Sequence, residues 1–119
     1  MNKPLLSLVV IRARDLDRAA AFYGLMGITF EKHRHGSGPY HLSYEHSSTV
    51  FEIYPRKDES DSTAAVRVGF AVLSVDVVME NLVAAGVGIL SPAQDSPWGR
   101  RAVVEDPDGH RVELTERSE

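Results

Sequence analysis

The order of elements along this chain repeats, and few folds accommodate such a repeat. Leu5 to Arg12 is apolar and β-branched and reads as a strand. Asp15 stands as a helix N-cap. Leu16, Ala19, Ala20 and Tyr23 follow at helical spacing, with Phe22 alongside, until Gly27 ends the helix. Three strands come next: Ile28 to His33, Tyr40 to Glu45 and Thr49 to Pro55. Arg56 to Thr63 (RKDESDST) is an uninterrupted polar run and reads as a linker. Then the series restarts. Val66 to Val72 alternates as a strand and Ser74 caps a helix. Val75, Val78, Met79 and Leu82 stand at i, i+3, i+4 and i+7, and Gly86 closes that helix. Val87 to Leu90, Arg100 to Glu105 and His110 to Glu116 read as strands, and Ser91 to Gly99 (SPAQDSPWG) as a turn-rich loop.

Two landmarks test the repeat. Ile11 and Glu52 lie 41 residues apart, and Phe70 and Glu113 lie 43 apart. Two copies make a pair of modules rather than a solenoid. The fold class expected is α+β: two βαβββ modules, 5–56 and 64–117, joined by the polar linker 57–63 within one domain spanning 1–119. Each helix packs on one face of its sheet, against Val9 and Ile11 in one module and Val68 and Phe70 in the other. The opposite faces of two curved mixed sheets are left to line a concave cavity.

The closing stretch, Val103 to Thr115 (VVEDPDGHRVELT), places the chemistry. Asp108-Gly109 makes its turn and Pro107 fixes the approach. Strand alternation puts Arg111, Glu113 and Thr115 on one face and His110, Val112 and Leu114 on the other. Glu113 faces either solvent or a cavity. Its repeat partner Glu52 shares a face with Val50 and Tyr54, which are not typical solvent residues, and that favours a cavity. Phe22, Tyr23, Met79 and Phe51 belong to the core.

Composition excludes several functions. The chain has no cysteine, so it has no disulfide, thiolate zinc site or cysteine nucleophile. A net charge of −4 over 119 residues carries no footprint for nucleic acid. The apolar run Leu5 to Ile11 is too short for a signal peptide or a membrane span, and the expected compartment is the cytoplasm.

The segments RARDLDRAAAFYGLMGITF, TVFEIYP, VGFAVLSVDVVMENLVAAGV and EDPDGHRVELTE resemble the vicinal oxygen chelate superfamily, which includes glyoxalase I, bleomycin-resistance proteins and extradiol dioxygenases. The resemblance spans nearly the whole chain. It implies four metal-ligand positions, which fall here on Leu8, Glu52, Arg67 and Glu113. Both Glu match the pattern. Leu8 has no donor atom and Arg67 is a permanent cation. Two carboxylates alone make a poor site for Zn²⁺, Fe²⁺ or Mn²⁺. No metal is therefore expected. If one is present, Glu52 and Glu113 hold it, with His35 or His41 swinging in. The resemblance also implies a homodimer.

Arg67 offers an alternative to the metal, an ion-pair network in which its guanidinium bridges Glu52 and Glu113. The other reading is an exposed strand arginine whose small neighbours Gly69 and Ala71 leave room for a ligand. Four histidines, His33, His35, His41 and His46, fall within fourteen residues. They read either as surface imidazoles of a polar hairpin or as a source of a general base or ligand donor, with His41 the best placed. Glu113 is the second candidate base. Trp98 either lids a pocket or anchors its loop, and Arg100 or Arg101 can hold a carboxylate or phosphate. The ligand-binding set expected is Glu52, Tyr54, Arg67, Trp98, Arg100 and Glu113. The function expected is binding of a small organic molecule in a metal-free cavity. The alternative is a divalent-metal-dependent lyase, isomerase or dioxygenase with an atypical ligand set.

Overall fold

The computed structural model describes residues 2–117. Its strands are β1 (Leu8–Ala13), β2 (Glu31–Arg34), β3 (Tyr40–His46), β4 (Thr49–Pro55), β5 (Arg67–Val72), β6 (Gly88–Ser96), β7 (Gly99–Glu105) and β8 (Arg111–Glu116). Helices α1 (Leu16–Gly24) and α2 (Val75–Ala84) follow β1 and β5. The strands form two four-stranded sheets of the same order, β1-β4-β3-β2 and β5-β8-β7-β6. In each the first pair is parallel and the others antiparallel. The α+β fold of two βαβββ modules is thus realised. Val10 lies beside Glu52 in one sheet and Gly69 beside Glu113 in the other, so the two glutamates occupy equivalent places.

Local signals account for the helices. Asp15 accepts a hydrogen bond from the Arg18 amide, and Ser74 accepts one from Val77, each relieving an orphan donor of the first turn. Gly27 at φ 102° and Gly86 at φ 77° turn the chain out where a side chain would be strained. Ile11, Ala13, Ala19, Phe22 and Tyr23 are buried in the first module, and Val75, Val78, Met79 and Leu82 in the second. The core lies between the helix-bearing faces of the two sheets. Its centre is aromatic: the Tyr23 ring stands 5.4 Å from Phe51 and 5.9 Å from Phe70, and Phe51 stands 5.4 Å from Phe70. Edge-to-face contacts of this kind add to the burial of the rings themselves.

A polar clamp closes the same interface. Asp106, 5% exposed, accepts bonds from the Tyr23 hydroxyl at 2.7 Å, from His110 Nδ1 at 2.8 Å, and from the amides of Asp108 and His110. The other ring nitrogen of His110 lies 2.7 Å from Thr63 Oγ1, which also accepts the Arg12 amide at 2.9 Å. Asp108 reaches back to the Arg14 amide at 2.9 Å. The stretch 57–63 is therefore more than a tether. It carries a 3-10 turn at Glu59–Asp61, and Thr63 joins β1 to the closing hairpin.

Several boundaries differ from expectation. The first strand begins at Leu8 rather than Leu5, and the second runs Glu31–Arg34 because Ile28 turns inward and its amide bonds the Tyr23 carbonyl. The larger correction concerns Ser91 to Gly99. β6 continues through that segment to Ser96. Its register shifts between Ile89 and Ser91 and again between Ser91 and Gln94. Pro92 sits within the second of those shifts, where an irregular ladder tolerates a residue without an amide hydrogen. Trp98 is then at a tight hairpin tip, not in a long loop.

Burial of the Asp106 carboxylate works against its charge, but the bonds from His110 and Tyr23 outweigh this and hold its pKa below the ordinary 3.8. The same burial, with Asp106 alongside, pushes the Tyr23 phenol far up. A depressed carboxylate contributes stability that is complete above its unfolded pKa and drains as pH falls through the lower folded value. Urea unfolding across the acid range is expected to show this loss below about pH 4. Asp106→Asn should flatten that part of the profile. Tyr23→Phe should cost about 1.5–3 kcal/mol at neutral pH, as for a hydrogen bond to a charged group.

Candidate functional site

The faces turned away from the helices carry the expected site residues on two separate sheets. On the first, β4 presents Val50, Glu52 and Tyr54, β1 presents Leu8, Val10 and Arg12, and β3 presents His41 and Ser43. Leu8 is 52% and Val10 37% exposed, so an apolar strip of this face has no cover within the chain. On the second, β5 presents Arg67, Gly69 and Ala71, β8 presents Arg111, Glu113 and Thr115, and β7 presents Arg101 and Val103.

Glu113 is the best-held group of the set. Its Oε1 accepts Arg67 Nη2 at 2.6 Å and Arg101 Nη2 at 2.5 Å. Arg67 foremost, then Arg101, lowers its pKa below the ordinary 4.5. Gly69 lies beside Glu113 on β5, where an added Cβ would stand at ordinary contact distance, 3.7 Å from the Glu113 Cβ. The expected bridge from Arg67 to Glu52 is not among the ion pairs of the described residues. Glu52 instead stands 3.6 Å from His41 Nε2.

His41 was legible as a candidate, and its environment was not. It is fully buried, its ring stacked on Tyr54 at 4.3 Å and 4° and on His35 at 5.1 Å. It is no surface imidazole of a polar hairpin. Arg12 lies over Tyr54 from the other side of β4, at 5.4 Å. Arg100 does not join the site. It bonds Asp76 at 2.9 Å and Asp95 at 3.1 Å, which ties the β6–β7 hairpin to the start of α2. Strand alternation sends its neighbour Arg101 to the opposite face, where it meets Glu113. That alternation was the signal that could have separated the two arginines. Trp98 is 83% exposed, so within the chain it anchors nothing.

A cavity of about 660 Å³ opens between the modules. Val9, Tyr44, Phe51, Phe70, Arg67 and Arg117 are among its lining, whereas Glu52, Tyr54, Trp98, Arg100 and Glu113 are not. Of the expected ligand set, only Arg67 reaches it. Among the described residues no three His, Asp or Glu side chains converge on a metal-sized point. None of their helices is long and apolar enough to cross a membrane.

This paired-module α+β fold, with glutamates at matching places on its two sheets, defines the structural class of the chain. The family profile described as Glyoxalase/Bleomycin resistance protein/Dioxygenase superfamily matches residues 5–114, and the chain belongs to that superfamily. The fold is shared with TnmS3, an antibiotic binding protein from Streptomyces sp. CB03234, at TM-score 0.78 and 22% identity over 99% of each chain. TioX from Micromonospora sp. ML1 is similar at TM-score 0.70 and 23% identity, over 97% of this chain and 100% of that one. A glyoxalase-related enzyme from Fulvimarina pelagi is similar at TM-score 0.72 and 26% identity, over 95% and 88%. No curated protein matches.

The superfamily often uses a divalent metal, and the donor set here does not fit one. Leu8 supplies no donor, Arg67 repels a cation, and both guanidinia meeting Glu113 converge on one of its oxygens. Carboxyl NMR titration of Glu113 is expected to read below 4.5 and to move back toward it in Arg67→Ala. Because these groups are largely solvated, the same variant should change stability by less than about 1 kcal/mol.

Proposed function

We propose that this protein binds a small organic molecule on the outward sheet faces, without a metal, as a homodimer. The observation that carries the reading is the double arginine hold on Glu113, set at the place where relatives present a metal ligand. Two guanidinia on one carboxylate leave local positive charge, which suits an electron-rich or anionic group on the ligand rather than a cation. Arg67, Arg101 and Glu113 are the proposed polar contacts of the second face. Glu52 and Tyr54 are those of the first. An antibiotic-binding neighbour of the same fold supports this class of ligand. The metal-dependent reading, with Glu52 and Glu113 as ligands, has no observation in its favour beyond family membership. Catalysis by His41 or Glu113 is not needed for binding.

The proposed dimer follows from the faces themselves. Leu8 and Val10 are exposed on a face that also carries Glu31, Glu45 and Glu52 against one cation, Arg12, whereas the second face carries Arg67, Arg101 and Arg111 against Glu105 and Glu113. An acidic face with an apolar strip complements a basic one on a second copy, and a two-fold arrangement uses both pairs at once. Trp98, at its hairpin tip, is the proposed lid. The proposed compartment is the cytoplasm.

A thermal-shift screen of aromatic and anionic small molecules tests the reading. A ligand at a hundred times its Kd should stabilise the protein by about 2.7 kcal/mol. The shift should persist in the presence of a chelator and shrink in Arg67→Leu. Metal bound stoichiometrically through Glu113, lost in Glu113→Gln, would sink the proposal. Sedimentation should show twice the chain mass, and Leu8→Glu should shift that toward the monomer.

A further inference from the structure

The β2–β3 hairpin holds a group of imidazoles that the proposed ligand site does not use. His33 and His41 are directly paired across β2 and β3, their rings 5.9 Å apart. His35, just past the end of β2, has its ring 5.1 Å from His41. His41 is fully buried, and neither of its ring nitrogens has a hydrogen-bond partner. A buried polar group left unpaired costs about 1–3 kcal/mol, so an orphaned imidazole needs a reason.

The arrangement of carboxylates supplies one. His33 Nε2 is bonded to Glu31 at 3.0 Å, and His41 Nε2 faces Glu52 at 3.6 Å. His33 is thus hydrogen-bonded to its carboxylate, whereas His41 only faces its own without a hydrogen bond, and in both rings the carboxylate is on the Nε2 side. Metal-binding histidines are commonly oriented in this way, one nitrogen toward a carboxylate and the other toward the ion. The 5.9 Å between His33 and His41 agrees, whereas the 5.1 Å between His35 and His41 is a stacked contact. Two imidazoles on one zinc ion, with Zn–N of about 2.0–2.1 Å, place their ring centres roughly 5–6 Å apart.

We infer that His33, His35 and His41 form a binding site for a first-row divalent transition metal such as Zn²⁺. The site lies wholly on the first module and shares no ligand with the four positions the superfamily uses. His33 and His41 bind through Nδ1, and Glu31 and Glu52 orient them. As the rings now stand no three donors converge. Closure of the site turns the His35 ring out of its stack on His41. His35 is free to do so: it lies in a turn with Gly36 at φ 59°, and its side chain makes no hydrogen bond or ion pair among the described residues. Its exposure and that of His33 give the ion a path in.

Calorimetric titration of the untagged, chelator-treated protein with Zn²⁺ alone tests this, with ¹⁵N NMR of the imidazoles as a second readout. One equivalent should bind, and the Nδ1 signals of His33 and His41 should shift. His35→Ala and His33→Ala should each weaken binding by roughly tenfold or more. Both positions are exposed enough for these variants to fold even if His41→Ala does not. Glu113→Gln should bind as the wild type does. Zn²⁺ binding that survives both histidine variants overturns the inference. If that binding is also lost in Glu113→Gln, the metal-free reading of the organic site falls with it. No saturable Zn²⁺ binding overturns the inference alone and leaves the organic site standing.

Discussion

A single buried carboxylate governs how the two halves of this protein meet. Asp106 sits in the second module, yet one of its four donors is the Tyr23 hydroxyl from the first. Burying that charge without partners would cost more than the interface could return. With them, it fixes the angle at which α1 approaches the closing hairpin. Tyr23 then brings its ring against Phe51 and Phe70, so the polar clamp and the aromatic core specify the same geometry. Thr63 extends the clamp. Because His110 Nδ1 faces a carboxylate, it must donate, and in the neutral ring Nε2 is left to accept the Thr63 hydroxyl.

That geometry has a consequence for function. Joining the modules through their helix-bearing faces leaves both opposite faces outward, and no single chain can fold them over one another. Glu52 and Glu113, equivalent by register, therefore end on separate surfaces. A cavity containing both requires a second copy. The cavity of about 660 Å³ between the modules is a different space, lined largely by residues that belong to the core side of the sheets.

The fold was legible because it rests on short-range signals repeated twice. Asp15 and Ser74 as caps, Gly27 and Gly86 as exits, and alternation in Val66–Val72 and His110–Glu116 each act within a few residues. The site was legible only as far as alternation reaches. Glu113 and Glu52 could be assigned to faces, and the same alternation puts Arg101 and Arg100 on opposite faces, but which of them meets Glu113 depends on the pairing of β7 with β8. The continuation of β6 beyond Leu90 was missed because Pro92 is ordinarily a strand breaker, and only the register shift between Ser91 and Gln94 makes room for it. The Tyr23–Asp106 bond spans 83 positions and leaves no local trace. His41 is a similar case. Its burial depends on Tyr54 across the ladder and on His35 folding back, and neither contact follows from period-two alternation.

Leu8 and Arg67 stand at two of the four positions that the family resemblance assigns to metal ligands, and their effects combine. Arg67 alone, beside three donors, would leave a cation facing an ion of the same sign. A lone Leu8 would leave three donors, which still suffice for zinc. Together they invert the preference of the site. Glu113 is neutralised by Arg67 and Arg101, which reach it from β5 and β7, the two strands flanking β8. Glu52, on the other sheet, has no guanidinium of its own and turns to His41. The two equivalent glutamates have thus diverged. One serves as the counter-ion of a cationic patch, and the other backs an imidazole whose second nitrogen is unoccupied. Any chemistry this protein performs must start from that asymmetry, which a symmetric four-ligand centre would not have allowed.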